Sequence, residues 1–148
     1  MVHQINTFDG PFAFLSNFYK ASVTFEGMTY PTNEHAFQAA KSLNKNIRSE
    51  FITQDLTPGQ AKRKGRRISL RPDWESVKIQ IMTDIVRNKF QTHPDLAAKL
   101  LATGDATLIE GTTWHDTFWG IDLTTGEGSN HLGIILMQIR EELKQNKK

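Results

Sequence analysis

The sequence predicts an α+β fold: a compact, mostly helical single domain with a few short strands. Three observations predict it. Trp74, Val77, Ile81 and Ile85 recur at i, i+3, i+7 and i+11, widened by Met82, Val86 and Phe90, which is the spacing of a buried helical stripe. Leu132, Ile135, Leu136, Ile139 and Leu143 repeat that pattern near the C-terminus. Strand character is confined to short runs, near 21–25 and 28–30 and from Ala106 to Glu110. A chain of 148 residues fits one domain over 1–148, large enough to bury a core without staples.

In chain order, residues 8–19 crowd Phe8, Phe12, Phe14, Phe18 and Tyr19 around the Gly10-Pro11 turn. Aromatics at this density either fill a core or floor a pocket for a flat ligand, and core is the default. Asn17 among them must find a hydrogen-bond partner if it is buried. The runs 21–25 and 28–30 flank Glu26-Gly27, a tight hairpin turn. Thr32 after Pro31 is an N-cap for a helix over Asn33–Leu43. A short amphipathic element follows from Ile47 to Thr53. Thr57-Pro58 opens a further helix that Gly65 should stop, and Pro72 opens the longest one, from Asp73 to about Thr92. Pro94 starts a helix ending at Gly104, and Gly111–Ser129 is a long stretch without periodicity, a length more often functional or mobile than idle. The last helix starts near Asn130, and Lys144–Lys148 reads as its frayed end.

Several function classes are excluded. No cysteine is present, so disulfides, thiolate zinc sites and cysteine nucleophiles are absent. The five histidines never pair at i, i+3 or i+4, so no metal site is expected, and no cofactor fingerprint occurs. The N-terminus has no apolar h-region, and no apolar run approaches the roughly 18 residues that span a bilayer, so a cytoplasmic protein without membrane contact is expected. No feature points to an obligate protein partner. The net charge of +2 is too small to argue for bulk nucleic-acid binding. Lys62, Arg63, Lys64, Arg66, Arg67 and Arg71 cluster, however, either as a solvated face or as a contact for phosphates.

On the Thr32-capped helix, Glu34, Gln38 and Lys41 share one stripe. They form either a solvated face or an acid, an amide and an amine aimed at one ligand. Glu34, with Asp116, Asp122 or Glu110 in or beside the long loop, could supply paired carboxyls that protonate a leaving group, activate water or stabilise an oxocarbenium ion. Lys41, its pKa lowered by burial, could serve as base or nucleophile. Trp74, in the first turn of its helix, is either a plug at the core's edge or the wall of a cleft.

Phe14-Leu-Ser-Asn-Phe18, Pro31-Thr-Asn-Glu-His35 running into Phe37-Gln-Ala-Ala-Lys41, Leu70-Arg-Pro-Asp-Trp-Glu75, Lys89-Phe90, Leu108-Ile-Glu110, Asp116 with Trp119-Gly120, and Asn130-His-Leu-Gly133 form an ordered set. That set, from about residue 8 to 143, resembles the NADAR superfamily. The resemblance implies a pocket for nucleotide-like ribose substrates and N-glycosidase activity. The substrate is either ADP-ribosylated guanine in nucleic acid, favoured by the basic cluster, or a phosphorylated intermediate of riboflavin synthesis. By position it implies Glu34, Lys41 and Asp116 as catalytic residues, with Trp74 as a pocket wall that stacks on the base. Asn17, Trp119, Gly120 and Asn130 are implied to line the site; Phe18 and Gln38 are expected to bind substrate beside them, without a family role assigned to either; the fit is loose over Gly120–Asn130 and leaves the role of Asp122 open. The rival of another class is a module that binds ADP-ribose or a related nucleotide and catalyses nothing.

Overall fold

The structure, a computed structural model, describes residues 3–146; Lys147 and Lys148 of the basic tail lie outside it. Its elements are β1 (Gln4–Ile5), a 3-10 helix (Gly10–Leu15), β2 (Val23–Phe25), β3 (Met28–Tyr30), α1 (Asn33–Ala39), α2 (Lys45–Thr53), α3 (Pro58–Gly65), α4 (Trp74–Thr92), α5 (Pro94–Ala102), β4 (Thr107–Leu108), β5 (Gly111–Thr112), β6 (Ile121–Asp122) and α6 (His131–Asn146). The α+β, mainly helical class is the one the apolar stripes predict. The chain forms two compact units, one of residues 17–92 and one of residues 3–16 with 93–146.

In the 17–92 unit, β2 and β3 pair antiparallel with Val23 opposite Tyr30 and Phe25 opposite Met28. Glu26 and Gly27 have φ of 47° and 83°, the left-handed pair that a two-residue turn needs to match strand twist. Val23, Phe25 and Tyr30 point inward, and α4 lies against the hairpin, where Asn88 Oδ1 accepts from Thr24 N at 2.8 Å. The caps fall where the sequence places them. Thr32 accepts from His35 N, and Thr57 and Gln60 form a reciprocal capping box with Pro58 at the first helical position between them. The α4 stripe buries Ile81, Met82, Ile85, Val86 and Phe90.

One helix is shorter than expected. The sequence predicts Asn33–Leu43, but α1 ends at Ala39. Lys41 N and Ser42 N bond to Gln38 O and Ala39 O, a tightened last turn, and Lys41 O accepts from Arg71 N at 2.7 Å instead of serving a further helical turn. Leu43, beyond the end of α1, is 61% exposed. All seven residues of α1 are buried.

Lys89 on α4 is also buried, at 1% exposure, with its ammonium 5.4 Å from the ring centres of both Tyr19 and Phe90. Aromatic faces favour the cation, but burial dominates and lowers its pKa from 10.5 to about 7. Between those values the unfolded chain holds the extra proton, so stability rises with pH by about 1.4 kcal/mol per unit from this group. Lys89→Met is expected to flatten that rise. Urea midpoints of both proteins measured from pH 7 to 10 test this, and parallel curves would refute it.

In the other unit, β1 pairs parallel with β4, Ile5 opposite Leu108. Gly104, at φ 63°, terminates α5 in the left-handed conformation. The face of α6 carrying Leu132, Ile135, Leu136 and Ile139 packs on α5 and β4. Arg140, 8% exposed, donates from Nη1 to Thr103 Oγ1 at 2.9 Å. The stretch Gly111–Ser129, expected to be aperiodic, contains a parallel pair, β5 with β6. Among the described residues no helix is long and apolar enough to cross a membrane.

Candidate active site

The polar residues of α1 do not face water. Glu34 is 8% exposed and Gln38 4%. Thr32 ends the preceding turn in extended backbone, and Asn17 O accepts from Glu34 N at 3.0 Å, fixing the first turn of α1. The Asn17 side chain finds the partners that burial requires: Oδ1 accepts from Asn33 Nδ2 at 3.0 Å, and Nδ2 lies 3.6 Å from Met82 Sδ. One turn beyond Glu34, Gln38 Nε2 donates to Glu34 Oε2 at 2.5 Å. A carboxylate is thereby held inside the unit.

Lys41 follows on the tightened turn and is half-buried. Burial lowers its pKa below 10.5; Glu34 opposes that, while Arg66, Lys62 and Lys78 lower it further. An amine so placed gains neutral, nucleophilic character at lower pH than a solvated lysine. Of the cations that act on it, Lys78 is paired with Glu75 at 2.7 Å. Of the basic cluster, Lys64 is committed to Glu50 and Arg71 to Asp73, each at 2.7 Å. Trp74 is 5% exposed and tilts against Phe37 with ring centres 5.1 Å apart, while Phe18 is 45% exposed.

The remaining expected residues belong to the other unit. Asp116 Oδ1 accepts from Phe118 N at 3.0 Å and Trp119 N at 2.9 Å, a local cap that shapes the loop. The Phe118 ring packs edge-on to Trp119 and against His131. Asn130, at φ 53°, immediately precedes α6: its Oδ1 accepts from Glu110 N and its Nδ2 donates to Leu108 O, both at 3.0 Å. Gly120 is buried where a Cβ would strike the Glu110 carbonyl and the side chain of Thr112. Gly120→Ala is expected to cost about 1–3 kcal/mol by overpacking beside β5. A urea midpoint equal to that of the unchanged protein would contradict this.

Two arrangements carry no signal in the spacing. Asp122, 3% exposed, accepts from Thr124 N at 2.8 Å and pairs with His115 Nδ1 at 2.5 Å; His115 stands at φ 62°. That hydrogen bond, then the one from Thr124 N, holds the Asp122 carboxyl below its ordinary value. The second arrangement is Gly65, which the sequence marks as a helix stop and which packs against the Gln38 amide. Among the described residues no group of three or more metal-ligating side chains occurs.

The NADAR domain family model matches residues 5–144. The N-glycosidase YbiA of Escherichia coli (strain K12) is 46% identical over 130 residues, covering 86% of this chain and 79% of that protein. An N-glycosidase of Nostoc punctiforme is 38% identical over 138 residues, covering 90% and 87% of the two chains. A riboflavin biosynthesis protein of Vibrio vulnificus is 40% identical over 135 residues, 90% of this chain and 36% of its own. The solution structure of Escherichia coli YbiA superposes with a TM-score of 0.84 at 40% identity, covering 99% of this chain and 89% of that one. A family model that spans residues 5–144, and relatives 38–46% identical over most of both chains, show that the chain belongs to the NADAR family.

Proposed function

We propose that the chain, an N-glycosidase, uses Glu34 and Lys41 to break the bond between a base and C1 of a phosphorylated ribose. The observation that carries this reading is the burial of Glu34 beside the desolvated Lys41. A buried carboxylate stabilises the positive charge that develops at C1 more strongly than a solvated one. The Lys41 amine attacks C1 as the bond to the base breaks and the base leaves with a proton. The resulting C1–Nζ adduct opens to an imine, which water hydrolyses to free sugar and amine. Asp116 is included as a second acid, and Trp74 as the partner of the base, on the family pattern alone.

The preferred substrate is ADP-ribosylated guanine in nucleic acid, because the cations around Lys41 suit a pyrophosphate. A phosphorylated riboflavin-pathway intermediate is the second reading, supported by the name of the Vibrio vulnificus relative. Separate incubation with an ADP-ribosyl-guanine oligonucleotide and with the phosphorylated ribosylamino-pyrimidine decides between them. Release of ADP-ribose from the first is the expected result. Turnover of the second alone would shift the assignment, and turnover of neither would overturn the activity.

A further inference from the structure

Gln38 has the geometry of a group that serves Glu34. Its Nε2 lies 2.5 Å from Glu34 Oε2 one helical turn away, and its side chain is 4% exposed. Its other end is unusual: Oε1 is buried and accepts no hydrogen bond from the protein. Buried carbonyl oxygens are nearly always paired, so an unpaired one marks a constraint elsewhere in the same side chain. Rotating the amide would turn its oxygen towards the Glu34 carboxylate, placing two acceptors face to face. The orphaned oxygen is the consequence of keeping the N–H on Glu34.

The place where that oxygen rests is set by Gly65. A Cβ built there would fall onto Gln38 Oε1 and lie 2.7 Å from Gln38 Cδ. Gly65 has no left-handed backbone to justify glycine, so conformational freedom does not explain the residue. It sits at the end of α3, and α3 is packed on α1. The absent side chain is the space that the amide occupies.

We infer that Gln38 is a positioning residue that fixes the Glu34 carboxylate against the positive charge that develops at the sugar C1, and that Gly65 exists to seat its amide. The inference rests on the reading of Glu34 given above. It departs from the expectation that Gln38 binds substrate directly. Holding one carboxylate oxygen sets the plane of the other, and misplacement of a reacting group by about 1 Å costs on the order of 10²-fold in rate.

Steady-state kinetics of Gln38→Met, Gln38→Ala, Gly65→Ala and the Gln38→Ala/Gly65→Ala double variant test the inference, with Glu34→Gln alongside. Met retains the bulk and removes the donor. Both Gln38 variants are expected to lose roughly 10–10²-fold in kcat with KM within about threefold, since the lost contact acts only through Glu34. Gly65→Ala is expected to lose a similar factor alone and less than about threefold further in the Gln38→Ala background, where the clash with the amide is gone and the Gln38 Cβ, 3.1 Å away, needs only a small shift. Wild-type kcat in both Gln38 variants, with Glu34→Gln inactive, would overturn the positioning role and leave the Glu34 reading intact. An active Glu34→Gln would overturn that reading itself. A raised KM with unchanged kcat would return Gln38 to direct substrate binding, and an additive Gly65→Ala effect would overturn the role given to Gly65.

Discussion

Glu34→Gln is expected to lower kcat by about 10²–10⁴-fold while leaving the fold and ligand affinity in place. The substitution keeps the size of the side chain, and its carbonyl can still accept from Gln38 Nε2, so the hydrogen bond at 2.5 Å retains a partner. What disappears is the negative charge. Charge matters little to ground-state binding of a neutral sugar carbon and much to a C1 that turns cationic, so the loss should fall on kcat rather than on affinity. The site's burial amplifies the effect, because Glu34 at 8% exposure acts through little water. The measurement pairs turnover with calorimetric binding of ADP-ribose. Equal turnover in the variant would remove Glu34 from the chemistry; lost binding with lost turnover would make it a ligand contact.

Lys41→Arg should be as damaging for a different reason. Arginine keeps a cation for a phosphate but has no neutral amine to attack C1. Borohydride added during turnover should trap a sugar adduct on the wild type and none on the variant. The pH dependence has a definite sign. Because only the neutral amine attacks, kcat should rise with pH and level off below the ordinary lysine value of 10.5, since burial first, and then Arg66, Lys62 and Lys78, favour loss of the proton. Lys78→Gln removes one of those cations and should move the plateau to higher pH. Absence of an adduct during active turnover would confine Lys41 to holding the substrate.

The legible part of this chain is the part written in local patterns. Thr32, Thr57-Pro58 and Glu26-Gly27 announce their caps and turn because each satisfies backbone groups within a few residues. The α4 and α6 stripes announce the cores because burial repeats along one helical face. β1, β5 and β6 were not foreseeable, since two residues carry no alternation and their partners are remote in sequence. The stripe of Glu34 and Gln38 was visible from spacing, but its burial was not. A polar face reads as solvated until α3 and Gly65 are known to cover it. Lys41 illustrates the opposite error. Its place on the stripe presumes a helix through Leu43, yet the chain leaves the helix at Ala39 and delivers the amine from the turn beyond. His115 and Asp122, seven residues apart in an aperiodic stretch, have no spacing rule that pairs them.

The most direct test of the central claim is an experimental structure of the protein with ADP-ribose bound. It should place a Glu34 carboxylate oxygen within about 3.5 Å of the ribose C1, the distance of a group poised to act in the transition state. A ribose bound elsewhere, or a Glu34 carboxylate turned away from C1, would contradict the account.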